Sequence, residues 1–425
     1  MGFRGTRTQL FLLSLLAGVF TISYVTIDVF ALNAVSLLQD PIFYGFLGVW
    51  LGLIISSLLL FVGVIKLPSM KNKLGTYLDP HYIGIRRPSN SALKYIFLAS
   101  IFNALGTLVY LGACTVLDPS IVLPLMQFLV VYLIVADFLL EKETPVIVEV
   151  QALLMVTLGA VLATLNQALL LGSINQIGGI ILVLGPLNLL TMGSSYYQKR
   201  ARLCPSAKTE HTDALTIRFY TTIGLAIIFT LISVLIRPQI LLLLLDPTLL
   251  VAVVPAALSM VLYTLYFITY LRAIGKGKLS IVNAIVSVSV VLSIPVTLIG
   301  TILIPGVFGD VSTEPFFWII KIIGAILICV GIISLSLSEI RFYLFFKKEI
   351  PYSMDKIFAE LIQIKGVQKV ASCTGTYDGI ILVRTRAIGK SYNQILMRVT
   401  KISGIAFLQS FMVYKDWEQL PLLQN

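Results

Sequence analysis

From Leu10 the chain reads LFLLSLLAGVFTISYVTI, 18 residues without a charge. In lipid no water meets a free backbone N–H or C=O, so a crossing segment must close its hydrogen bonds within a helix or around a barrel. A spanning strand takes about 9–11 residues, whereas a helix takes about 20 to cross a hydrocarbon core of about 30 Å. Runs of this length therefore demand helices. The run also overshoots the roughly 7–15 apolar residues of a secretory signal, and no small-residue cleavage site follows it. The opening MGFRGT fits the short pattern of myristoylation at Gly2. A chain with many spans gains little from one acyl chain, so the pattern carries no weight.

Ten such runs lie near residues 9–30, 42–65, 95–116, 120–140, 145–168, 177–198, 215–236, 248–271, 279–304 and 316–338. They account for a composition that is 58% hydrophobic and 12% charged, with a mean hydropathy of +0.96. If successive spans alternate in direction, Lys and Arg should concentrate in the cytoplasmic loops. One loop set holds Arg4, Arg7, Lys71, Arg86, Lys142, Arg200, Arg202, Lys208, Arg218, Arg272, Lys276 and more, while the opposite set holds only Arg237 and Lys321. Lys321 lies near enough to a helix end to snorkel. The expectation is a multi-pass protein of the plasma membrane with both termini cytoplasmic. Its net charge of +11 needs no nucleic acid, since a membrane protein rich in basic loops reaches it unaided.

Two windows repeat. YLGACTVLDPSIVL begins at Tyr110 and YLRAIGKGKLSIVN at Tyr270, with Tyr, Leu, Ala, Ser, Ile and Val at matching offsets. The first carries Asp118 where the second carries Lys276 and Lys278. Units of five helices enter the membrane in opposite senses, so one hairpin falls outside and its copy inside. The charge reversal is what an inverted repeat requires. Secondary transporters often use such repeats to expose a central site alternately to each side. The expected organisation is one five-helix unit over 1–168, a second over 169–340 and a separate domain over 341–425.

The run DPSIVLPLMQFLVVYLIVADFLLEKETP with LLMVTLGAVLATL, and KIIGAILICVGIISL from Lys321, resemble the EamA type of the drug/metabolite transporter superfamily. The resemblance covers about residues 9–340 and implies ten helices around a central cavity, with no cargo named.

A polar side chain inside a span is costly unless paired or facing a wet cavity, so each is a candidate for cargo contact. Helix-to-helix bonding is the competing use. The substrate-binding candidates are Tyr24, Asp28, Asn103, Thr107 and Gln127 in the first unit, and Asn188, Tyr263, Tyr266, Asn283 and Ser287 in the second; Thr26 and Thr264 lie at similar depth. Asn103 and Thr107, spaced i, i+4, share a face with Tyr110. Asp28 either binds a proton or a cargo amino group, or sits at the outer interface. Asp137 and Glu149 fall near helix ends, where water reaches them. Tyr270, near a span end, reads as an interfacial anchor. Pro124, Pro186, Pro255 and Pro295 interrupt spans and are candidate hinges or kinks.

Past residue 340 the long apolar runs give way to alternation. RFYLFF, VQKVASCTGTYDG, IILVRTR and IAFLQSFMVY read as strands, and SMDKIFAELIQIKG and SYNQILMRVTKISG as helices. The order is βαββαβ, a ferredoxin-like α+β sandwich. Ile357, Leu361 and Ile364 keep the spacing of a helix face packed on a sheet. The stretches GVQKVASCTGTYDGIILV and VTKISGIAF resemble the effector-binding module of Lrp/AsnC regulators, a relative of the ACT domain. The resemblance implies pairing of two copies into a homodimer and an amino-acid effector near Gly375, Thr376, Tyr377 and Asp378. No helix-turn-helix precedes the module, so no DNA reading is implied.

The four cysteines, Cys114, Cys204, Cys329 and Cys373, have neither metal-like nor disulfide-framework spacing, and His81 and His211 read as solvated loop residues. No nucleophile and base at useful spacing and no phosphate-cradling loop occur, so no enzyme, cofactor or metal is expected. The expectation is a secondary carrier exporting or exchanging small metabolites, amino acids first, regulated by its tail domain. A membrane-bound amino-acid sensor that moves nothing, and an ion or lipid carrier on the same helices, are the alternatives.

Overall fold

The computed structural model describes residues 2–66, 72–117, 119–141, 147–165, 174–205, 211–277, 279–308, 315–337, 340–364, 366–385 and 390–412. Lys71, Asp118, Lys142, Lys208 and Lys278 lie outside them, as do the side chains of Asp137 and Glu149.

In chain order the helices of the apolar part are α1 (Gly2–Ala34), α2 (Pro41–Val64), the short α3 (Leu74–Leu78), α4 (Asn90–Cys114), α5 (Pro119–Met126), α6 (Leu129–Glu141) and α7 (Ile147–Thr164). They continue with α8 (Ile174–Leu182), α9 (Asn188–Leu203), α10 (Ala214–Ile236), α11 (Leu249–Ile274), α12 (Leu279–Val286), α13 (Val288–Leu303) and α14 (Pro315–Leu337). Taking α5 with α6, α8 with α9 and α12 with α13 as single spans, nine are long and apolar enough among the described residues to cross a membrane. The expected fifth span is α7, whose apolar portion is shorter. The protein is thus a multi-pass membrane protein by the length and composition of its helices.

Local chemistry sets the helix starts. Asp40 caps α2, accepting from the N–H of Ile42, and Ser89 caps α4 through Ala92. Inside the helices most hydroxyls turn back on the carbonyl four residues earlier, as Ser14, Thr21 and Thr26 do on α1. Thr26 is therefore occupied by its own helix.

The helices pair across the two expected halves. The amide oxygen of Asn103 on α4 accepts from Ser194 on α9, and Ser100 on α4 donates to the Thr221 carbonyl on α10. Trp50 on α2 donates to Thr230 on α10, and Tyr24 on α1 packs edge-on against Tyr263 on α11 with ring centres 5.2 Å apart. Between α7 and α14 the contact is glycine on glycine. A Cβ at Gly159 would lie 2.5 Å from the Gly324 carbonyl oxygen, and one at Gly324 equally close to that of Gly159. Without a hydrophobic drive between helices in lipid, such close backbone approach supplies the packing energy.

Three spans are broken, and proline explains only part of this. The fourth turns sharply at Gln127 and Phe128, just after Pro124, where the N–H groups of both reach back only three residues. The sixth passes through a wide π-type turn at Val183–Leu187, which contains Pro186. There the freed Leu184 carbonyl accepts from Tyr132, and the amide of Asn188 donates to the carbonyls of Val183 and Leu125. The ninth breaks at Ser287, eight residues before Pro295 and with no proline nearby. Pro255 and Pro295 sit inside α11 and α13 without interrupting them.

The carboxy-terminal unit follows the expected order. It runs β1 (Ile340–Lys348), α15 (Met354–Gln363), β2 (Val367–Ser372), β3 (Gly379–Thr385), α16 (Lys390–Val399) and β4 (Ile405–Met412). The sheet is antiparallel in the order β2-β3-β1-β4, with Leu344 of β1 opposite Ile381 of β3 and Ser410 of β4. Phe342, Leu344, Phe346, Ile381 and Val383 turn one face into a core with Ile357, Leu361 and Ile364 from the α15 side and Ile395 and Val399 of α16. The alternation of the strands and the i, i+4, i+7 stripe of the helix meet there.

Candidate functional site

Polar residues that cannot face lipid collect around one cavity among α1, α2, α4, α9, α10 and α11. About 1030 Å³ of space outside protein atoms, open solvent at its mouth included, lies in it. Of the ten substrate-binding candidates it gathers six, Tyr24, Asp28, Asn103, Thr107, Tyr263 and Tyr266.

Asp28 is buried, 2% exposed. Its Oδ1 accepts from the Tyr44 and Ser259 hydroxyls, each at 2.5 Å, and its Oδ2 from Tyr110 at 2.9 Å. These donors come from α2, α11 and α4, so three helices converge on one carboxylate. The interfacial reading of Asp28 is corrected: α1 carries it into the bundle, where hydroxyls take the place of water. Tyr24, one turn earlier, packs edge-on against Tyr263 and at a tilt against Tyr266. Asn103 accepts from Ser194, which in turn accepts from Gln198, yet the Asn103 amide nitrogen is buried with no partner.

Four candidates lie outside the cavity lining. Gln127 and Ser287 bond each other, Oγ to Oε1, at 2.6 Å. Asn283 donates to Tyr270 and to its own helix. Asn188 serves the carbonyls of the π turn. Gln127, Ser287 and Asn188 thus satisfy groups at or beside a helix break, whereas Asn283 ties its helix to Tyr270. Thr264 accepts from Arg218 rather than facing the cavity.

Sequence reasoning missed Arg218. Counted among the basic loop residues, it is the fifth residue of α10, 1% exposed, and lines the cavity. Its guanidinium carbon lies 4.7 Å over the Tyr263 ring and 5.0 Å over Phe267, while one Nη donates to Thr264 at 3.3 Å. Nε and the other Nη make no hydrogen bond of ordinary geometry, although the Tyr263 side chain interacts with the guanidinium. The available signal was a lone charge one turn into an apolar run. Gly45, Gly48 and Gly52 on α2 also line the cavity, and a Cβ at Gly52 would come within 3.5 Å of the guanidinium.

Two further expectations change. Tyr270 is no interfacial anchor: it is 2% exposed, lines the cavity and donates to Ser195 at 3.0 Å. Lys321 does not snorkel, because its Nζ donates to Ser120 at 2.9 Å within the protein.

Beyond the Arg218 end of the cavity lies a charged clasp. Arg202, one turn past Gln198 on α9, forks onto buried Asp79 at 2.7 and 3.0 Å and also donates to the Thr212 carbonyl. Asp79 accepts the N–H of Ala214 at 2.6 Å as well. Asp213 caps α10 through Thr216 and meets Arg86 at 3.2 Å. Burial pushes the Asp79 carboxyl up, but Arg202 and the N–H groups of Ala214 and His81 outweigh it and hold it below the ordinary value. Burial leaves the Asp213 carboxyl raised. The His81 and His211 rings pack edge-on, 5.3 Å apart and half-buried, rather than lying free in water. Burial and the nearby Arg202 charge lower the His81 imidazole.

In the carboxy-terminal unit, Gly375 and Thr376 are exposed at the β2–β3 turn, where Gly375 adopts φ +130°. Asp378 is committed to its own sheet, since its carboxylate accepts the N–H of Lys348 at 2.7 Å. The Tyr377 hydroxyl donates to Gln409 and its ring packs on Phe345. Among the described residues no group of His, Cys, Asp and Glu forms a metal site.

No family model matches the chain, and no curated protein does. A solved structure described only as the crystal structure of a protein is 15% identical, covers 78% of this chain and 97% of its own, and superposes with a TM-score of 0.50. At that identity the likeness speaks to fold alone. A second, the crystal structure of PH0061, is 15% identical over 31% of this chain and 76% of its own, with a TM-score of 0.18.

Proposed function

We propose that the protein is a secondary carrier that exports or exchanges small metabolites, amino acids first among them, through the cavity between α1, α2, α4, α9, α10 and α11. The membrane portion is two inverted five-helix units of the EamA kind, over 1–168 and 169–340, with both termini cytoplasmic and the plasma membrane as its site. The domain over 341–425 is an Lrp/AsnC-like effector module that pairs with a second copy.

One observation carries the reading. Ser287 and Gln127, each at a helix break and bonded to each other, are 160 residues apart. Tyr110 and Tyr270 have the same spacing in the sequence repeat. Each tyrosine lines the cavity and donates inward, Tyr110 to Asp28 on α1 and Tyr270 to Ser195 on α9. An inverted repeat would place its local axis near the Gln127–Ser287 bond. Two copies of one hairpin meeting at their breaks have the symmetry that lets halves exchange shapes. On this reading the Asp79–Arg202 clasp closes the cytoplasmic end. An amino-acid effector has Gly375 and Thr376 open to it, because Tyr377 and Asp378 already serve the sheet.

Counterflow in proteoliposomes tests the proposal. Vesicles loaded with unlabelled amino acids should accumulate the labelled compound from outside, and empty vesicles should not. Binding by the full chain with no exchange in either direction would replace the carrier with a sensor. Exchange of ions or lipid that ignores amino acids would support the third reading.

A further inference from the structure

Within that carrier reading, we propose that the cavity is a receptor for a zwitterion, with Arg218 taking a carboxylate of the cargo and Asp28 its ammonium group. Only these two of the lining residues carry a formal charge, and they have opposite sign. They are not paired with each other. Among the described residues no carboxylate lies within ion-pair distance of Arg218, and the guanidinium rests instead on the faces of Tyr263 and Phe267.

A buried cation without a counterion is expensive, and inside a membrane protein such charges mark the path or site of a charged ligand. Tyr263 interacts with the guanidinium, yet two of the Arg218 nitrogens make no hydrogen bond of ordinary geometry and stay open to a further acceptor. The Asn103 amide nitrogen makes the same demand from α4. A neutral apolar cargo or an amine alone would leave these donors unmet. The rings already contribute what they can by cation–π attraction, which orients the fork without closing it.

Asp28 presents the complementary vacancy. A carboxylate offers about four acceptor positions, and Tyr44, Tyr110 and Ser259 occupy three. The remaining one suits an N–H of an ammonium group.

The spacing selects a short dipole. On α11, Ser259 bonds Asp28, while Tyr263 and Thr264 hold Arg218. Four to five residues separate these anchors, about 6–8 Å along the helix axis at 1.5 Å per residue. Anchors about one helical turn apart suit adjacent amino and carboxylate groups better than charges held far apart.

The test uses the full chain in lipid nanodiscs. The twenty amino acids are titrated singly by calorimetry, and the tightest ligand is compared with its amide, its N-acetyl derivative and its deaminated acid. Each derivative should bind at least about thirtyfold more weakly, the scale for leaving one member of a buried charge pair unmatched. Arg218→Met should make acid and amide equal, and Asp28→Asn should do the same for the amino acid and its deaminated acid. Thermal unfolding of each variant confirms that it folds. An amide that binds as tightly as its parent, an Arg218→Met protein that still discriminates, or no binding by any amino acid would overturn the receptor. Exchange by proteoliposomes that ignores the carboxylate would overturn it and leave the carrier standing. Zwitterion binding without exchange would support the receptor and remove the carrier.

Discussion

Two buried arginines, alike in exposure and opposite in pairing, should respond oppositely to methionine. Arg218 is 1% exposed and Arg202 4%. Arg218→Met removes a 3.3 Å hydrogen bond to Thr264 and two ring contacts. At about 1 kcal/mol for the bond and about 1–2 for each desolvated ring contact, about 3–5 kcal/mol is lost. The same change relieves the penalty of an uncompensated buried cation, itself several kcal/mol. The terms nearly cancel, and the ligand-free variant should lie within about 1 kcal/mol of the parent. Arg202→Met strips the fork from Asp79 and leaves a buried carboxylate unmatched, at a cost of about 3–5 kcal/mol. Equilibrium unfolding in mixed detergent and dodecyl sulfate micelles measures both. If Arg218→Met falls as far as Arg202→Met, then Arg218 clamps the fold and its charge is not being held for a ligand.

Asn188→Leu should cost about 2–4 kcal/mol in the same assay, because the carbonyls of Val183 in the π turn and Leu125 on α5 lose their donor. Ser287→Ala removes a single bond to Gln127 and should cost about 0.6–1 kcal/mol. His81, lowered by burial and Arg202, takes up its proton less readily folded than unfolded. Its contribution is therefore full above the ordinary histidine value of about 6.5 and declines as pH falls through it. His81→Gln should flatten the stability profile between about pH 7.5 and 5.5. A profile unchanged by that substitution would remove His81 from the clasp. Asp213, raised by burial, works in the other direction as it protonates, so Asp213→Asn separates the two. Gly52→Leu should fill the space beside Arg218 and abolish ligand binding while the protein still folds.

The apolar runs were legible because length alone separates a spanning helix from a strand. The tail was legible because its period changes from helix stripe to strand alternation, and its sheet order follows. The cavity was half legible. Asp28, Tyr24 and Tyr263 are polar at mid-depth and face it, but so by the same rule were Asn188 and Gln127, which serve broken backbone instead. Sequence shows that a polar group needs a partner; which partner depends on where a helix breaks, and the Ser287 break has no proline to announce it. Arg218 was hidden by the rule that assigns basic residues near span ends to loops. The absence of any carboxylate beside it becomes visible only when the helices are assembled.

Whether the cavity opens to both sides is answered most directly at Thr107, which lines it from α4. With Cys114, Cys204, Cys329 and Cys373 replaced, Thr107→Cys should react with an impermeant thiol reagent applied from either face of oriented proteoliposomes, and saturating cargo should change the ratio of the two rates. Reaction from one face alone, unaltered by any ligand, would contradict alternating access.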